Sequence, residues 1–187
     1  MQLVKRVALS ITATAALAIS FAPTSAADPT AHLKAEIDAA RSESGCPPLQ
    51  LDPVLNGVSL RVAHEMDDYV RHSSSFLPTG GEGPPVVEAS GGVLRVMREA
   101  GYSTAKAKLL EGYGDYRTGG TGDNEAKAIK GTVLQGLGFE VLPDCTYTKY
   151  GISAINDDSS QGWPSTPPRT YAVTAVVMAG DRQVPQR

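Results

Sequence analysis

The constraint that matters most for folding is a long amphipathic segment that begins at Asp52-Pro53. Asp followed by Pro is a strong helix start, because the carboxylate caps the first turn and the proline sits where no N–H is needed. Beyond it Leu55, Val58, Val62, Met66 and Tyr69 recur at helical spacing along one stripe. Arg61, Glu65, Asp68 and Arg71 form the other face, which is expected to be solvated. Such a helix has to lay its apolar stripe against another layer, so the remaining elements are read as candidates for that layer.

Asp28-Pro29 repeats the start signal, and Leu33, Ile37 and Ala40 follow at helical spacing until Gly45. Ser73 to Gly92, with Pro78, Pro84 and Pro85, reads as a long loop. A third helix is expected over Val93–Ala100, stopped by Gly101. Lys106 to Tyr116 fits a short helix or a strand, with Gly112 and Gly114 inside it. Asp123 caps a fourth helix, for which Ala126, Ile129, Val133 and Leu137 are the expected inward positions. Tyr147–Ile155 and Thr170–Ala179 are β-rich and read as two antiparallel strands. Helices first and strands last give an α+β domain with about four helices on a small antiparallel sheet.

The N-terminus reads as a secretion signal over residues 1–27. Lys5 and Arg6 precede an uncharged apolar run from Val7 to Phe21, Pro23 interrupts it, and Ala26 and Ala27 offer equivalent cleavage points. The run falls short of the ~20 apolar residues of a membrane span. Residues 28–187 then form a single domain with a short flexible C-terminal tail, secreted or held in the cell envelope, and without a transmembrane segment. Loss of two of the 17 basic residues with the signal leaves 15 against 20 acidic ones. That balance, with no clustered basic face, excludes a nucleic-acid-binding footprint.

Cys46 and Cys145 are the two cysteines of the chain. In an exported protein an even pair is most simply one disulfide, with two buried thiols as the other reading. A loop of this length stabilises by ~4–5 kcal/mol in the chain-entropy model.

Sequence signatures of catalysis are sparse. The chain has no GxSxG elbow, Walker loop or dinucleotide fingerprint. His64-Glu65 begins a zinc-protease pattern, but Asp68 stands where its second histidine belongs. His64 and His72 lie two helical turns apart, ~12 Å of rise, too far to share one ion. His72 falls at the expected end of the second helix, where an imidazole also serves to satisfy terminal carbonyls.

The order of short motifs Ala40-Arg41, Leu49, Asp52-Pro53, Ala63-His64-Glu65-Met66, His72-Ser73, Arg98-Glu99-Ala100-Gly101-Tyr102 and Tyr150-Gly151-Ile152 resembles the bacterial branch of the CAP superfamily. These are the cysteine-rich secretory, antigen 5 and pathogenesis-related 1 proteins. The resemblance implies an α-β-α sandwich and a pocket that in the family holds two histidines and two glutamates. His72 matches the first histidine, Glu111 the first glutamate, and Glu125 is the one place for the second. Gly112-Tyr113 replaces the Asn-Ile that usually follows the glutamate, and Leu134-Gln135-Gly136 stands where the second histidine is expected. No histidine follows His72. One imidazole with one or two carboxylates makes a weak site, so no metal and no other cofactor is expected.

What the resemblance implies for function is a degenerate, non-catalytic binding protein, with a pocket at His72, Glu111, Tyr113 and Gln135. Its first candidate ligand is a lipid or other small hydrophobic molecule; an envelope or host protein is a further partner class. The alternatives are an extracellular hydrolase using a His72/Glu111 pair, and a protein-interaction module presenting the loop around Trp163.

Overall fold

The computed structural model of the chain describes residues 28–73, 92–119, 121–135, 137–157 and 170–181, with backbone alone at 72, 73 and 135. The expected secretion signal, most of the Ser73–Gly92 loop, the Trp163 loop and the C-terminal tail lie outside the described residues. The elements are α1 (Pro29–Glu43), β1 (Gln50–Leu51), α2 (Pro53–Ser73), α3 (Val93–Glu99), β2 (Ala107–Asp115), α4 (Asn124–Lys130), a π-helical turn (Gly131–Gln135), α5 (Gly138–Val141), β3 (Lys149–Asp157) and β4 (Tyr171–Ala179). Among the described residues no helix is long and apolar enough to cross a membrane.

The strands form one sheet in the order β1-β3-β4-β2. β4 pairs antiparallel with β3 and with β2 along its whole length, so Asp115, Asp157 and Tyr171 end level with one another. The two-residue β1 adds a parallel edge to β3 immediately before α2. β4 is buried at all nine positions, because helices cover both sheet faces. This explains why its sequence, Tyr-Ala-Val-Thr-Ala-Val-Val-Met-Ala, is a near-continuous apolar run. The segment from 107 to 115, open between helix and strand in the sequence, is the nine-residue β2.

Strand alternation divides the core in two. Tyr113, Tyr171, Val173, Ala175 and Val177 face α2 and α3, where Leu55, Val58, Val62, Met66, Val96 and Met97 meet them. Leu110, Ile152, Val176 and Met178 face the other way, against Leu33 and Ile37 of α1 and Ile129 of α4. The result is an α-β-α sandwich. α2 lies so close to β3 that a Cβ on Gly151 would sit 2.0 Å from the Leu55 carbonyl carbon. α4 approaches β2 in the same way: Cβ atoms at Gly112 and Gly114 would lie 1.9 Å and 2.1 Å from the carbonyl oxygens of Ala128 and Asn124.

The helix starts behave as their residues require. Asp28 accepts from the Thr30 N–H, Asp52 from the Val54 N–H at 2.9 Å and Asp123 from the Ala126 N–H at 2.8 Å. The inward stripe expected of the fourth helix holds at Ile129 and is half-buried at Val133, but Ala126 is exposed and Leu137 is 43% exposed. For Leu137 the cause is the π turn, which shifts the helical phase, followed by Leu137 itself in the left-handed region at φ 64°.

Two staples hold the helical layers. On the α1 side Cys46 and Cys145 form a disulfide with Cα atoms 5.1 Å apart. Beside it the Arg41 side chain, 2% exposed, donates to the carbonyls of Leu142 (2.8 Å), Asp144 (3.0 Å), Pro47 (3.0 Å) and Tyr147 (3.1 Å). Burial pushes this guanidinium's pKa down, countered by the nearby Asp144 carboxylate. The staple of the α2 side is polar as well, and it adjoins the expected pocket.

Candidate functional site

The last two turns of α2 run over the strand ends. Asp67 is buried there, and Arg71 bridges it at 3.2 Å to Asp157 of β3 at 2.6 Å. The Tyr171 hydroxyl donates to Asp67 and lies 3.3 Å from Asp157. Arg71 was expected on a solvated helix face. It is instead largely covered, because β3 ends in a carboxylate that the helix passes over.

Tyr113 continues this arrangement, its ring centroid 6.1 Å from that of Tyr171 and its hydroxyl donating to Asp115 at 2.8 Å. Asp115, fully buried, also accepts from the Arg117 N–H (2.8 Å), Arg117 Nε (2.7 Å) and the Thr118 N–H (2.9 Å). Burial alone would push its carboxyl up, but these donors hold it below its ordinary value. Burial pushes both tyrosines well above the usual phenol range, helped by Asp115 beside Tyr113 and Asp67 beside Tyr171. Both phenols therefore stay protonated as donors.

The expected pocket residues fall as follows. Glu111 sits in β2 opposite Ala175, on the same face as Tyr113, half-buried with one carboxylate oxygen enclosed. His72 belongs to the last turn of α2, the helix covering that face. Its side chain lies outside the described residues. Gln135 ends the π turn, which packs on β2 from the opposite layer, and its side chain is likewise outside the description. Glu125 also stands in the opposite layer, so the sheet separates it from Glu111. His72, Glu111 and Tyr113 thus share one side of the sheet, and Glu125 does not join them.

Glu125 instead meets a histidine that motif reading passes over. His32 Nδ1 of α1 lies 2.6 Å from Glu125 Oε1, and Asn156 Nδ2 donates to Glu125 Oε2 at 2.7 Å. The His32–Glu125 pair spans 93 positions of sequence, which leaves no local signal. It marks one end of a groove of about 530 Å³ between α1 and α4. Ala39 and Ala40 of α1 and Ile129, Val133 and Leu134 of the α4 unit give it an apolar floor. Glu36, Glu43 and Asp123 line it with Glu125, against the single ammonium of Lys130. Leu134, which lines the groove, is 50% exposed.

No protein-family model matches the sequence, and no curated protein does. Among solved structures, an outer surface protein from Borrelia burgdorferi is similar with a TM-score of 0.50 at 11% identity, over 83% of this chain and 93% of that one. A cysteine-rich secretory protein from Staphylococcus aureus aligns with a TM-score of 0.42 at 10% identity, over 82% of this chain and 39% of that one. The chain thus shares its fold with the Borrelia outer surface protein.

Proposed function

We propose that this chain is an exported, non-catalytic protein of CAP-like fold that holds a small hydrophobic or lipid-like ligand at the cell envelope or outside the cell. The observation that carries the reading is the groove between α1 and α4. Its volume of about 530 Å³ suits a small molecule, whose sites span ~300–1,000 Å³. Its floor is apolar, and it is framed by a few polar groups able to orient a ligand. The fold shared with an outer surface protein supports the location outside the cytoplasmic membrane.

The polar residues of the opposite face support the non-catalytic part. A hydrolase built on His72 and Glu111 would draw on neighbouring groups to orient or relay a proton. Asp67, Asp115 and Asp157 there are each held by tyrosine or arginine donors, and Tyr113 and Tyr171 are held protonated. The arrangement serves packing better than proton transfer.

The test is a native mass spectrum of the exported, disulfide-bonded protein, compared with its denatured mass after incubation with an envelope lipid extract. A non-covalent mass in the lipid range should appear in the native spectrum only. The Ala39→Trp variant, which places an indole over the floor, should lose it. A bare polypeptide mass throughout, or retention of the ligand by Ala39→Trp, would refute the reading.

A further inference from the structure

We infer that the ligand of the α1–α4 groove is an amphiphile with a cationic head group, a protonated amine or a quaternary ammonium; this rests on the ligand-binding reading above. The charge lining the groove is unbalanced in a specific way. Glu125 is already engaged by His32 and Asn156, and Asp123 is committed to capping α4. Glu36 and Glu43 are exposed on α1, seven residues apart, so they stand ~10 Å from each other along the helix axis. Neither has an ion-pair partner among the described residues.

Between these two carboxylates lies the apolar strip of Ala39 and Ala40, facing Ile129 and Val133. A single alkyl chain laid on that strip removes apolar surface from water whatever its head group. The head group then comes to rest beside Glu36 or Glu43. An ammonium gains from either carboxylate, whereas a carboxylate head meets like charge, which suppresses the wrong ligand. Lys130 offers the one opposing charge on the floor side, and it is outnumbered. From His32 to Glu43 the groove follows α1 for ~16 Å, the reach of a medium-length alkyl chain. A helical peptide of a partner protein would need a larger apolar trough than this volume provides.

The experiment is calorimetric titration of the full exported protein with decyltrimethylammonium, decanoate and 1-decanol, each kept below its aggregation limit. The cationic amphiphile should bind about tenfold more tightly than decanoate, the size expected of two exposed charge contacts. The preference should shrink as salt is raised and vanish in Glu36→Gln/Glu43→Gln, while 1-decanol binds that variant and the wild type alike. Equal or tighter binding of decanoate, or a preference that survives the double substitution, would overturn the head-group assignment and leave the groove standing. If none of the three binds, the groove reading itself fails and the head-group inference falls with it.

Discussion

The two faces of the sheet use the same residue types to opposite ends. Under α2, carboxylates are buried and each is matched to donors: Asp67 and Asp157 to Arg71 and Tyr171, Asp115 to Tyr113, Arg117 and two backbone N–H groups. Beside α1, Glu36 and Glu43 sit in the open above an apolar floor without ion-pair partners among the described residues. Buried carboxylates without partners would be intolerable, so the first set is fixed by the fold. Exposed carboxylates contribute almost nothing to folding, so the second set is not tied down by the fold and is available for the role proposed above. Burial, rather than residue type, tells the two roles apart.

The largest effect should come from the staple on the α1 side. Reducing the Cys46–Cys145 bridge, or replacing both cysteines with alanine, removes a cross-link with a sequence separation of 99. This should cost ~4–5 kcal/mol in the entropy model, read as a lower urea midpoint. A drop below ~1 kcal/mol would mean that Arg41 and its four carbonyls hold that layer without covalent help.

The α2 side should respond nearly as strongly. Arg71→Met leaves Asp67 and Asp157 with fewer donors in a buried setting and should destabilise by ~3–4 kcal/mol. A loss within ~0.5 kcal/mol would place this network among solvated surface pairs and dissolve the contrast between the faces.

A third effect is carried by pH, with opposite signs at the two ends. Asp115 is held below its ordinary pKa, so its contribution is present above the unfolded value of ~3.9 and is lost as pH falls through its lower folded value. Tyr113 and Tyr171 are held above theirs. Their contribution is complete below ~10 and is lost as pH rises towards the folded values. Urea midpoints should therefore fall in strong acid and again above about pH 10, and Tyr171→Phe should flatten the alkaline limb while lowering stability at pH 7. An unchanged alkaline limb in that variant would show that the phenol is solvated.

How much of this was legible follows from how local each signal is. Asp28-Pro29, Asp52-Pro53 and Asp123 act within one turn, so the starts of α1, α2 and α4 could be read directly. The apolar stripe of α2 likewise fixed its buried face, with Tyr69 only half-buried at its end. β2 could not be told from a short helix, because Lys108, Glu111, Gly112 and Gly114 break any apolar period. The two glycines are there for the close approach of α4, a tertiary demand with no local signature. Arg71 looked solvated because its partner Asp157 is 86 residues away. For the same reason motif matching found Glu125 but not His32, and it did not reveal that the sheet parts Glu125 from Glu111. The pocket named from family resemblance turns on the side chains of His72 and Gln135, which lie outside the described residues, while the groove is visible only once α1 and α4 are set side by side.

The smallest expected effect is the sharpest test of the contrast. Glu36→Gln/Glu43→Gln removes two negative charges, yet both side chains are exposed and without an ion pair among the described residues. The urea midpoint should therefore change by no more than ~0.5 kcal/mol in stability, with a slight rise if the two carboxylates repel Glu125 and Asp123. Neutralising Asp67 and Asp157 by Asn should cost several times more, since the two substitutions together remove both carboxylates that pair with Arg71. If the two pairs of substitutions cost the same, the groove carboxylates are structural after all. They would then be unavailable to choose a head group, and the two faces of the sheet would be alike.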